Sequence, residues 1–139
     1  MSQAAEVLRL MNIIELNVVD TNITATTIDG SLCLFRPVYD KPSGTTYGMS
    51  SAINTFQRGQ CFCRVYCVEQ FNSEGLLVKF NIQLKNENDL LLGIWDLDLN
   101  HGLHTHPVNN GEKGRDHIRI DGSIYDVAIE IAAQIKQGV

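Results

Sequence analysis

The sequence predicts an α+β fold: an antiparallel sheet of about five to six strands, a hairpin plus a meander, with N-terminal and C-terminal helices. Three observations lead there. Both ends of the chain carry apolar residues at helical spacing. Between them lie several strand-like runs, separated by short polar turns. Elements in the order helix, strands, helix bury their apolar faces as helices packed on an antiparallel sheet.

Residues 3–16 are predicted helical, because Val7, Leu8, Met11 and Ile14 make one apolar stripe. Ser2 suits the N-cap, with Glu6 close behind. In "NITATTIDGSLCLFRPVY" the pair Asp29-Gly30 separates two β-rich runs, which predicts a hairpin of strands 23–28 and 31–36. Pro37 and Pro42 then break the pattern. Residues 40–58 are rich in Gly, Ser and Thr and read as a loop, with a short helix around Ser50–Phe56. Such a segment also suits a mobile binding loop.

The meander follows. "CFCRVYCVE" alternates with period two, "NSEG" turns, and "LLVKFNIQL" puts Leu76, Val78, Phe80, Ile82 and Leu84 on one face. "KNEND" turns again, and "LLLGIWDLDL" is the third strand. Trp95 belongs in the core. Asp96 and Asp98 read as solvent-facing charges of an edge strand, where charge blocks aggregation. "HIRI" is a short strand after the histidine loop. Ser123 then caps a helix over 124–136, whose buried stripe is Ile124, Val127, Ala128, Ile131 and Ile135.

The 139 residues are one domain, 1–139. With 44% hydrophobic and 19% charged residues the chain can bury a real core. The net charge of −5 argues against a protein that wraps duplex DNA. It leaves room for a local basic site, for a single-strand cleft, and for an acidic inhibitor seated in a basic groove. No signal-peptide pattern and no run of about 18 apolar residues is present, so a cytoplasmic protein with no membrane partner is expected. Either the C-terminal helix or an unpaired sheet edge would support a homodimer. Of the four cysteines, Cys61, Cys63 and Cys67 fall on one strand face. The outer two lie about 20 Å apart, too far to share one ion, so all three read as buried thiols.

The functional signal sits in "HGLHTHPVNNGEKGRDHIRI", which holds all four histidines. A loop between neighbouring strands returns close to where it left. His104, His106, His117 and Arg119 are therefore expected neighbours, and His101 is expected outside the set. A lone histidine in a Gly/Asn loop is most often solvated, but four in one loop raise the case for a site. No cofactor is expected. Zinc is the lesser alternative, since three histidines with one open position suffice for it. His104-Thr105-His106-Pro107 is similar to the zinc motif of JAMM-type metalloproteases. However, Gly114 stands where that motif has serine, His117 stands where it has aspartate, and that reading is disfavoured.

The stretch Leu90–Leu99, His104-Thr105-His106-Pro107, Asn110-Gly111 and His117-Ile118-Arg119-Ile120 resembles the core of small bacterial and phage proteins related to TumE-type toxins. Their pattern is an apolar strand ending in acidic residues, then H-T-N-P-D-G, then H-[IL]-H, then a helix. The resemblance covers roughly residues 77–135. Here His106 replaces the asparagine and Arg119 replaces the second histidine.

The resemblance implies a toxin or effector of mobile elements that acts on RNA. Metal-free RNA cleavage needs a base, an acid and a cation for the phosphorane. Two imidazoles and a guanidinium supply these near neutral pH. The catalytic candidates are His104, His117, Arg119 and His106, with Arg115 as a phosphate clamp. The alternative is a non-catalytic protein-binding inhibitor of a host defence complex, in the manner of anti-CRISPR proteins. The partner is then an RNA substrate or another protein. Catalysis requires the histidines to converge around a pocket, and pure binding is compatible with their diverging.

Overall fold

The computed structural model describes residues 10–18, 22–27, 36–40, 45–74 and 76–139. Among these residues it is an α+β fold with two helices, α1 (Leu10–Val18) and α2 (Ile124–Gly138), and strands from β1 (Thr24–Thr27) to β10 (Ile118–Arg119). Among the described residues the main sheet has eight antiparallel strands in the order β1, β3 (Thr45–Arg58), β4 (Cys61–Phe71), β5 (Leu77–Asn86), β6 (Leu91–Asp98), β7 (Gly102–Thr105) and β10, with β2 (Arg36–Asp40) also pairing β3. A separate two-stranded hairpin joins β8 (Val108–Asn109) to β9 (Glu112–Lys113).

The strand count exceeds the sequence expectation for a physical reason. Residues 45–58 form one fourteen-residue strand rather than a loop with a short helix. Ala52, Asn54 and Phe56 are buried while their neighbours are not, a period of two within a Ser/Thr-rich composition. Of the predicted hairpin of 23–28 with 31–36, residues 28–35 lie outside the described residues. β1 pairs with 54–57 and β2 with 45–49, so both lie along β3. The Asp29-Gly30 turn, Ser2, Glu6, Val7 and Leu8 lie outside the described residues. Pro37 falls inside β2, paired with Gly48, where an edge strand tolerates the missing N–H.

The meander is β4 (Cys61–Phe71), β5 (Leu77–Asn86) and β6 (Leu91–Asp98). Its alternation sorts the two faces. Cys63, Val65 and Cys67 on β4, Phe80, Ile82 and Leu84 on β5, and Trp95 on β6 join α1 and α2 in the core. Leu76 and Val78 fall out of the predicted row. A register shift between Gln70 and Phe71 sets Leu77 opposite Phe71 and packs it against the core instead. Cys61, at the strand end, is exposed.

The helices pack on each other and cover one face of the sheet. Ser123 caps α2 in a capping box with Asp126, and Val127, Ala128, Ile131, Ala132 and Ile135 point into the core. The indole of Trp95 donates to Glu130 Oε2 at 3.3 Å, tying β6 to α2. It lies against Gly93, where a Cβ would overlap the ring.

Two outcomes follow. Gly93→Ala displaces the indole and lowers stability by about 1–3 kcal/mol in urea unfolding; a change under about 0.5 kcal/mol would contradict this packing. Burial pushes the Cys63 thiol up to about 11. In native protein, alkylation followed by peptide mapping should modify Cys61 first, and Cys63 and Cys67 only after unfolding.

Candidate functional site

The face opposite the helices carries the polar residues of β5, β6, β7 (Gly102–Thr105) and β10. Strand register builds the site there. Asn81 opposes Asp96, Asp96 opposes His104, and His104 opposes Arg119, so one row crosses four strands. Just beyond the ends of β7 and β10, His106 lies beside His117, with ring centroids 4.6 Å apart. β7 was not legible in the sequence, which reads simply as a loop there. Asp98 accepts from the amides of Asn100 and His101, and Gly102 takes a positive φ of 65° to complete the turn.

Asp96 is not an edge-strand charge. β6 lies between β5 and β7, and the Asp96 side chain is only 15% exposed. Its Oδ1 accepts from the Asn81 side-chain amide. Its Oδ2 lies 3.0 Å from His106 Nε2 and 3.7 Å from His104 Nε2. His104 and His106 are both buried, at 2% and 6% exposure. His104 Nδ1 lies 2.8 Å from the Gly102 carbonyl, which can only accept, so Nδ1 carries a proton and, in the neutral imidazole, Nε2 carries the lone pair. His106 Nδ1 is buried and has no hydrogen-bond partner among the described residues.

His101 belongs to the cluster, contrary to the sequence expectation. It stacks on His117 with centroids 3.8 Å apart and rings 4° from parallel. His117 also lies 5.0 Å from His104. Desolvation first, and then the neighbouring imidazoles of His101, His106 and His104, hold His117 below the ordinary histidine range, with Asp98 opposing. The His101 amide is the main reason that the Asp98 carboxyl lies below the ordinary carboxylate range.

The cluster lines a cleft of about 280 Å³ together with Asn81, Asp98, Asn100, Lys79 and Lys113. Arg119 is absent from that lining. Its side chain is 84% exposed and pairs with Asp121 at 3.5 Å. Arg115 is exposed and lies outside the lining too. The cations at the cleft are Lys79 and Lys113, which the sequence did not single out.

Lys113 arrives on the β8–β9 hairpin, which folds back against β6. Asn110 and Gly111 at its tip both take positive φ, 54° and 79°, the conformation that an Asn-Gly hairpin turn requires. That dipeptide was the available sequence signal for the hairpin. The Gly114 amide donates to the Pro107 carbonyl at 2.6 Å and closes its neck.

Two groups in the site have donor atoms within 4.8 Å of one another, the spacing of metal ligands: Asp96, His104 and His106, and His101, His104 and His117. Comparisons of the chain with family models, with curated proteins and with solved structures return no match.

Proposed function

We propose that the chain is a small toxin-like effector that cleaves phosphodiester bonds of RNA in the histidine cleft. The observation that carries this reading is convergence: four imidazoles and two partly buried carboxylates, Asp96 and Asp98, line one cleft. A merely solvated polar loop has no reason to bury two histidines against an aspartate.

Roles follow from position. His117, exposed at the mouth and stacked on His101, is placed to take a proton from a ribose 2′-hydroxyl or return one to the leaving 5′-oxygen. His104 and His106, held by Asp96, form the floor against which the phosphate would rest. Lys79 and Lys113 at the cleft supply positive charge for the phosphorane. Arg119 keeps a part only as an outlying phosphate contact.

The sheet face leading to the cleft favours a single strand over a duplex. On β4, Phe62, Arg64 and Tyr66 alternate on that face, with Arg64 over the Phe62 ring at 5.0 Å and Lys85 over Tyr66 at 5.0 Å. Aromatic faces interleaved with cations suit stacked, unpaired bases. The resemblance to TumE-type toxins points the same way.

The second reading is a non-catalytic inhibitor of a host protein complex. The net charge of −5 favours it, as do the exposed apolar side chains of Leu99, Tyr125 and Ile129. The two readings part on one assay. Incubation with a fluorescent single-stranded RNA should give cleavage, and His117→Ala should slow it by roughly 10²–10⁴-fold. Intact RNA with the wild type, or equal cleavage by His117→Ala, would overturn the enzymatic reading in favour of binding.

A further inference from the structure

We infer that Asp96, His104 and His106 form a binding site for a divalent transition-metal ion, with zinc the best fit. The inference concerns the same cleft but rests on ligand geometry and does not require RNA as the substrate.

Ring orientation selects between the two groups. A metal bound by imidazole lies in the ring plane, along the nitrogen lone pair, at roughly 2.0–2.1 Å. His101 and His117 are stacked face to face, 4° from parallel and 3.8 Å apart. Their lone pairs therefore run in parallel planes, and one ion cannot lie in both. His104 and His106 meet at 72° instead, so their lone-pair directions can intersect.

Donor spacing fits the inner group. Tetrahedral bonds of about 2 Å place donor atoms about 3.3 Å apart. The separations from Asp96 Oδ2 to His106 Nε2 and to His104 Nε2, 3.0 Å and 3.7 Å, bracket that value. The protonation pattern fits as well. The Gly102 carbonyl fixes the proton of His104 on Nδ1, which turns the bare Nε2 toward a carboxylate oxygen. In the neutral imidazole two electron-rich atoms then face each other with no hydrogen between them, an arrangement that a cation relieves. That backbone contact, and the Asn81 amide on Asp96 Oδ1, are the outer hydrogen bonds that orient metal ligands.

His106 is more than nine-tenths buried in the cluster, with its Nε2 turned to Asp96 Oδ2. Two nitrogens and one oxygen, with a fourth position facing the cleft, are the donor set of an open zinc site. Bound there, the ion would supply Lewis-acid stabilisation to an oxyanion, and His117 would remain free for proton transfer.

The test uses the whole chain, stripped with chelator and titrated with Co²⁺ and then with Zn²⁺. Wild type should develop the intense visible bands of tetrahedral cobalt with an end point at one equivalent. One equivalent of zinc should bleach them. Zinc affinity should fall by roughly 10–100-fold in Asn81→Ala and further in His106→Ala, and hold in His101→Ala. Circular dichroism confirms that each variant is folded. The wild-type spectrum needs no variant to fold: pale, octahedral cobalt or no saturation at one equivalent would overturn the site. Loss of binding in His101→Ala with retention in His106→Ala would overturn the choice of ligands. Neither readout involves RNA, so failure of cleavage and failure of metal binding are told apart.

Discussion

A carboxylate in an interior strand must be paired, and Asp96 satisfies that requirement in a way that organises the whole site. Its two oxygens engage Asn81 on one neighbouring strand and the His104/His106 pair on the other side. A slip of one residue in β6 would turn Asp96 toward the helices and Trp95 toward the cleft. Register is therefore what separates a core from a site here. Trp95 enforces it from one face, seated over Gly93 and bonded to Glu130 of α2. Thr105 contributes from β7 by donating its hydroxyl to the Ile94 carbonyl.

The division of labour between the faces follows from that constraint. The helix face is largely apolar, from Phe56 on β3 to Trp95 on β6, with Asn54 and Glu69 buried in it and the Leu10 amide of α1 donating to Glu69. The opposite face is polar, and over β6 the Asn-Gly hairpin folds back against it. That cover helps explain why Ile94 and two histidines are buried on a face with no helix over it. Burial lowers the local dielectric, so every charge in the cleft acts more strongly than it would at the open surface. The stacked pair His101 and His117 keeps to the exposed rim. In the function proposed above, the inner group holds the phosphate and His117 at the rim exchanges protons.

Much of the fold was legible from period and turn chemistry. The stripe at Val127, Ala128 and Ile131, the Ser123 cap and the meander strands all read directly from the sequence. Residues 45–58 did not, because Ser, Thr and Gly suggest a loop and mask an alternation that pairing with β4 turns into a long strand. The bulge at Gln70/Phe71 was hidden for a related reason, since one extra residue inverts the phase that alternation relies on. In the site, the neighbourhood of His104, His106 and His117 followed from loop closure alone. Asp96 was misplaced because it looks like the frayed end of an edge strand until β7 is recognised. His101 comes in on the turn that joins β6 to β7 and Lys113 on the Asn-Gly hairpin, both read as undifferentiated loop, while Lys79 reaches the cleft from β5, which no local pattern encodes.

The measurement that tests this account most directly is the tautomeric state of His104, read by long-range ¹H–¹⁵N correlation on metal-free protein. The account predicts a proton on Nδ1, held by the Gly102 carbonyl, and a bare Nε2 turned toward Asp96. A protonated Nε2 with a bare Nδ1 would make His104 a plain hydrogen-bond donor to Asp96. It would contradict the organisation of the cleft proposed here.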